Sequence, residues 1–278
     1  MHDFVDTHPS PLPSTMHPHA HPKPQRMPRA DANGFGRAEI VLMLALLAAC
    51  LLAWLGPFVP QMAHYHAFAD QRVWLGLPFA WDVLSNLLFA AFGVMGLWAV
   101  ARRTFTVTSG ERVQMALAAL FFTGLLVSAA CSSYYHVNPN DARLAVDRGG
   151  MVLAFAGLMG LAVAGRVSAR AGMALALGVM LAGPLSVWFW AQTGNLLPWS
   201  ILQGGGMLLL LVLAFIKPPP GAWPLRLSLV IALYALAKLL ELADHPLYEF
   251  TSGAVSGHSL KHVIAAFAAA TAVASTSS

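Results

Sequence analysis

Eight stretches of the chain stay apolar for close to the roughly 20 residues that cross a bilayer's hydrocarbon core. They fall at about 39–59, 82–101, 113–135, 147–165, 171–191, 199–216, 226–244 and 257–275, separated by shorter segments that hold most of the charge. The pattern predicts eight membrane-crossing helices. The first 37 residues have no such pattern: Pro and His dominate, with His2, His8, His17, His19 and His21. That composition cannot bury a core and predicts a disordered tail over 1–37. Its histidines could collect metal, but a solvated low-complexity tail is the simpler reading. A cleaved signal peptide is disfavoured, because the basic region before the first run is long and no small-x-small site follows. The segment 38–60 is therefore expected to stay as a helix.

Composition agrees with the membrane reading. Of 278 residues, 58% are hydrophobic and 10% charged, against about 45–50% and 25% in soluble domains. The net charge of +4 comes from basic residues scattered in short clusters between apolar runs. No patch or arm for nucleic acid is formed, so no nucleic-acid partner is expected. The two cysteines, Cys50 and Cys131, fall at different depths of different runs, and no disulfide between them is expected.

Basic residues also report orientation, since they accumulate in cytoplasmic loops. With the N-terminal side inside, eleven fall on that face: Lys23, Arg26, Arg29, Arg37, Arg102, Arg103, Arg112, Arg166, Arg170, Lys217 and Arg226. Only three, Arg72, Arg143 and Arg148, fall on the other. Lys238 and Lys261 lie within helices and do not enter the count. Eleven against three predicts eight crossings with both termini cytoplasmic.

This topology brings together polar residues that are far apart in sequence. Ser132 and His136 come at the outer end of the third run, Asp147 at the outer start of the fourth, and His258 and His262 in the first turns of the eighth. Ionisable side chains at membrane depth cost about 2.5 to 3.5 kcal/mol on insertion scales and are retained mostly for function. Residues four apart share a helix face, so His258 and His262 can offer two nitrogens to one ion while His136 supplies a third. Three histidines with a free fourth position fit a catalytic zinc site. Ser132 lies one turn before His136. Asp147 has two roles open to it, reaching a water at the ion or orienting a histidine. A lone histidine in such a helix more often hydrogen-bonds a neighbouring helix; the convergence of three is what favours metal. Haem is disfavoured, because its axial ligands approach from opposite sides. Transport would call for internal repeats or broken helices, which are not visible. Gly204, Gly205, Gly206 and Pro184 read as close packing or a kink.

The segments Cys131-Ser-Ser-Tyr-Tyr-His136, Asp147-Arg148 and Ser256-Gly-His258-Ser-Leu-Lys-His262 resemble the alkaline ceramidase family, within the CREST superfamily of membrane hydrolases. Trp81-Asp-Val-Leu-Ser85-Asn86 is similar to the start of that family's first core helix, and the likeness spans roughly residues 64 to 275. The resemblance implies a seven-helix hydrolase domain over 61–275 with one extra N-terminal helix. It also implies zinc held by His136, His258 and His262, Asp147 as the base, Ser132 as stabiliser of the oxyanion, and hydrolysis of ceramide or another N-acyl lipid. The site would face the non-cytoplasmic side. The acidic calcium site of eukaryotic members finds only Asp70 and Asp82 here, which argues against calcium dependence. Asp82 could equally cap its helix or stand near the metal. Asp244 and His245 are left between lining the entrance and solvation, and Glu249 reads as solvated. Hemolysin-III-like proteins and the related seven-helix receptors share a similar residue set, so a binding or sensing protein is the alternative. The contexts Val146-Asp-Arg-Gly-Gly150 and Ser256–His262 are closer to ceramidase-type sequences.

Overall fold

A computed structural model describes residues 34–102 and 109–274. The expected disorder of the tail concerns residues that, up to position 33, lie outside the described ones, as does Arg103. Among the described residues the protein is an all-α helical bundle, and those from Gly36 onward form one compact unit.

Each apolar run is helical. The first is α1, Arg37–Leu55, which stops at Gly56-Pro57 because proline cannot continue a helix and restricts the residue before it. The second run is divided into α2, Ala80–Ser85, and α3, Leu87–Ala101. Then come α4, Ser109–Val137, and α5, Asp141–Ala164. The last is capped by Asn140, whose side chain accepts from Arg143 N at 3.0 Å. Next are α6, Ala169–Thr193, capped by Ser168, and α7, Leu197–Ala214, with Pro198 in its first turn. The chain continues through α8, Leu227–Leu242, the short α9, Asp244–Phe250, and α10, Gly257–Ala274.

Six of these are long and apolar enough to cross a membrane: α1, α2–α3 taken together, α4, α5, α6 and α7. The other two expected crossings fall short of that mark. α8 has only 16 residues, and α10 carries His258, Lys261 and His262 in its first two turns. The helix α9 was not expected, because Asp244, His245 and Pro246 read as loop residues; proline is tolerated there in the first turn, where its missing N–H costs nothing.

Neighbouring helices close a ring, α3 on α4, α4 on α5, then α6, α7, α8, α10 and back to α3. Small residues set the closest approaches, as is common between helices that lack a hydrophobic drive to associate. A side chain at Gly157 would strike the backbone of Phe121, and one at Gly172 would lie 2.5 Å from the Gly160 carbonyl. In the Gly204–Gly206 run, only Gly206 meets a neighbour, Met159; the other two face open space. Pro184 is carried inside α6.

The helix α1 stands outside the ring against α7. Its outer surface shows Val41, Leu44, Leu47, Leu51 and Leu55, each at least half exposed, a band too apolar for a water-facing surface. Its start is tied to the start of α6: Arg170 Nε donates to Glu39 Oε1 at 2.7 Å, and Ser168 Oγ bonds the same oxygen. Those two helix starts therefore share one end of the bundle. The opposite end gathers the segment 56–79, the α4–α5 and α6–α7 connections, and α9 with the start of α10. Val59 and Leu196, joined there by a 2.8 Å backbone hydrogen bond, link two of these pieces.

Candidate metal centre

His136 arrives from the last turn of α4 and His258 and His262 from the first two turns of α10. All three are nearly buried, at 1%, 5% and 4% exposure. Their ring centroids form an almost equilateral triangle with sides of 4.9, 5.0 and 4.9 Å. One ring nitrogen from each falls within 4.8 Å of the others. His136 Nε2 and His258 Nε2 are 3.3 Å apart. Two nitrogens at about 2.0–2.1 Å from one tetrahedral ion are separated by about 3.3–3.4 Å, so this spacing fits a shared zinc.

The surroundings orient these rings. Ser85, on α2, directs its only hydroxyl proton at the Asp82 carbonyl at 2.9 Å, and its oxygen lies 2.8 Å from His262 Nδ1. Ser85 Oγ is thus the acceptor for a proton on Nδ1, which leaves the Nε2 lone pair free for an ion. His258 has its backbone N–H held by Asp244 Oδ1 at 2.8 Å. His136 has no polar support: its Nδ1 is buried without a partner among the described residues. Rings hold it instead, Phe68 at 4.9 Å and Tyr135 at 4.8 Å between centroids. Phe68 also covers His258 at 4.3 Å, and it packs edge-on against Phe79. That residue sits just before α2 in the left-handed region, with φ of 46°.

The acidic residues separate into distinct roles. Asp82 makes no capping bond at the start of α2. It is fully buried, with Oδ1 accepting from Ser259 Oγ at 2.6 Å, so it reaches α10 between the two histidines. The capping reading of Asp82 is therefore wrong, because the nearest donor is a hydroxyl on another helix. Asp70 is buried and turned to Arg72, whose Nε donates to Oδ1 at 2.8 Å. Asp244 is buried and fully engaged, its second oxygen accepting from Ala69 N at 2.9 Å. His245 Nε2 lies 2.8 Å from the Ala67 carbonyl. Both tie the 61–79 segment to the site, while Glu249 is exposed.

Asp147 and Ser132 are not among the clustered nitrogens, but they line the cavity that opens onto them. Asp147 lies in the second turn of α5, deeper than expected, because the helix starts at Asp141. The Ser132 hydroxyl is within hydrogen-bonding reach of its carboxylate. The cavity, about 690 Å³, runs from Phe68, Ser132, Asp147, His258 and His262 past Ala265, Ala269 and Ala272 to Leu158, Met159 and Leu210. From His262 to Ala272 the helix rises about 15 Å. Below the polar end the walls are apolar, with alanine on the α10 face. The volume falls in the range of small-ligand sites.

Three participants were missed in the sequence. Ser85 and Ser259 are hydroxyls in apolar runs, and nothing local says which histidine or carboxylate they meet 177 residues away. Lys261 reads in the sequence only as a residue within a helix; its Nζ lies 3.2 Å from His258 Nε2 and 2.7 Å from Glu241 Oε1. A lysine inside the H-x-x-x-H spacing was the available signal.

No family model matches the chain, and no curated protein matches it either.

Proposed function

We propose that the protein is a zinc-dependent membrane hydrolase that cleaves the amide of ceramide or a related N-acyl lipid to a fatty acid and a long-chain amine. The observation that carries this reading is a cluster of three histidine nitrogens within 4.8 Å of one another, one pair 3.3 Å apart, beside a deep apolar cavity. His136, His258 and His262 would hold the ion. A zinc ion there lowers the pKa of a bound water to about 7 and polarises a carbonyl. Asp147, at the cavity wall, takes the proton of the attacking water and passes it to the departing amine. Ser132 donates its hydroxyl to the carbonyl oxygen as that atom gains charge. The alanine-faced cavity takes the acyl chain.

The orientation proposed is the one the basic residues favour, with both termini cytoplasmic and the metal centre toward the opposite face. In support, Glu39 and Arg170 place the starts of α1 and α6 at one end of the bundle, as an alternating path requires, and the histidines lie at the other.

The test is metal analysis of purified protein together with hydrolysis of ceramides and other N-acyl lipids, for the wild type, His258→Ala and Asp147→Ala. Stoichiometric zinc and amide cleavage are expected in the wild type. Loss of both is expected in His258→Ala, and loss of cleavage with zinc retained in Asp147→Ala. A zinc-free active wild type, or cleavage unchanged in both variants, overturns the reading. A protein that holds zinc and a lipid but cleaves none of these amides is the binding or sensing protein of the alternative.

A further inference from the structure

Two lysines and one glutamate line the same cavity between α8 and α10. Glu241 Oε1 accepts from Lys261 Nζ at 2.7 Å and Glu241 Oε2 from Lys238 Nζ at 2.7 Å. If the group served only to join the two helices, one cation on one carboxylate would suffice. Here two cations share one carboxylate, Lys238 with its side chain 46% exposed and Lys261 more enclosed at 21%. Lys261 is also turned toward the metal centre, 3.2 Å from His258 Nε2.

The cavity wall as a whole carries three cations, Lys238, Lys261 and Arg148, and three carboxylates, Asp147, Glu241 and Asp244. Asp244 is occupied by the backbone N–H groups of Ala69 and His258. Asp147 is adjacent in sequence to Arg148, and both line the cavity together with Lys261. Arg148 supplies the independent observation. It is 3% exposed, lies over the Trp190 ring at 4.1 Å, and its Nη2 donates to Gln61 Oε1 at 2.8 Å. The Tyr65 hydroxyl is within reach of the guanidinium, yet Nη1 is buried with no hydrogen-bond partner among the described residues. A buried guanidinium donor left unmatched on a cavity wall calls for an acceptor from a ligand.

We infer that the cavity is built for an amide lipid with an anionic group on the amine side, of the N-acyl amino acid class, its carboxylate held by Lys261 and Arg148. This rests on the amide-hydrolase reading for the position of the scissile bond. With the amide carbonyl at the histidines, Lys261 lies within a few bonds of it. That distance suits a carboxylate on the carbon next to the amide nitrogen, while the acyl chain follows the alanine face of α10. Water attack would form the new C–O bond and break C–N, releasing a fatty acid and an amino acid. Glu241 and Lys238 are positioning residues for Lys261.

The test is equilibrium binding to metal-stripped protein in detergent, using N-hexadecanoylglycine, the neutral N-hexadecanoylethanolamine, and hexadecanoate. Wild type is expected to bind the glycine conjugate about tenfold or more tighter than the neutral amide, a difference of about 1.4 kcal/mol. Lys261→Met should bring the glycine conjugate's affinity down to that of the neutral amide. Lys261→Arg should retain the preference, and Arg148→Met, a second variant on another helix, should reduce it. Equal binding of both amides by wild type overturns the inference, as does a preference for hexadecanoate alone. Hydrolysis of the same two amides by zinc-loaded wild type separates the two readings. Carboxylate-selective binding without cleavage sinks the hydrolase and keeps the subsite; cleavage of both amides without selectivity does the reverse.

Discussion

Ser85 Oγ stands 2.8 Å from His262 Nδ1 across 177 residues of sequence. With its proton spent on the Asp82 carbonyl, the serine can only accept, so it fixes which nitrogen of His262 is free. Partners of this kind behind a metal-binding histidine are worth about 10- to 100-fold in metal affinity. Ser85→Ala is expected to weaken zinc binding by that amount, measured by competition with a chromophoric chelator. Affinity equal to wild type would show that the Asp82 carbonyl, also within reach of the His262 ring, and packing against Phe89 at 6.4 Å hold it without the serine.

Asp82 is fully buried, its second oxygen has no partner among the described residues, and Ser259 provides the hydrogen bond to its first. Removing that donor leaves a buried carboxyl group unmatched, a loss of about 1–3 kcal/mol. Ser259→Ala is expected to lower the thermal midpoint in detergent accordingly. In an Asp82→Asn background, where no carboxylate remains to be satisfied, the same substitution should cost much less. An equal cost in both backgrounds would mean that Ser259 matters for helix packing and not through Asp82.

Which parts of this protein could be read from its sequence depends on the range of the forces involved. Apolar runs near the length of a bilayer are local signals, and all eight became helical, the second as the pair α2 and α3, with ends displaced by a few residues. The displacement that mattered was at α5. Asn140 starts the helix at Asp141, ahead of the apolar run, and so carries Asp147 into the second turn. The histidines could be grouped because i, i+4 spacing and an end-to-end count of crossings are enough to place them. Long-range pairings were not legible. Nothing in the local context of Asp82 distinguishes a helix cap from a partner for Ser259, since a short acidic side chain at a helix start serves both purposes. Likewise Asp244 sits in polar, loop-like sequence, and its two backbone partners come from segments that only the folded chain brings to it.

Asp244 makes a third prediction. One carboxylate joins Ala69 N in the 61–79 segment to His258 N at the start of α10. Asp244→Ala would leave the His258 N–H buried without an acceptor and free the segment that carries Phe68 over the histidines. The expected result is a loss of about 2–4 kcal/mol from two charge-assisted bonds, with faster proteolysis within 61–79. Asp244→Asn, which keeps one acceptor, should recover part of the loss. Unchanged proteolysis in Asp244→Ala would place the segment's order elsewhere, in the Val59 N to Asn195 Oδ1 bond at 3.0 Å and its neighbours.

The face of α10 below the histidines presents Ala265, Ala269 and Ala272 to the cavity, at intervals of four and three residues after the three-residue step from His262. Such spacing keeps one side of a helix aligned, and small side chains there keep the cavity open. Ala269 lies about 10 Å beyond His262 along the axis. Ala269→Phe would place a ring across the deep part of the cavity without touching the metal centre. If the proposed acyl chain follows this face, kcat/KM for hexadecanoyl amides should fall about tenfold or more, whereas that for hexanoyl amides should stay within about threefold, a split that uniform damage cannot produce. Overpacking costs about 1–3 kcal/mol of stability, so zinc content and the thermal midpoint are read on the same sample. Loss of activity in equal proportion for short and long chains, with zinc retained, would show that the acyl chain leaves the histidines by another route.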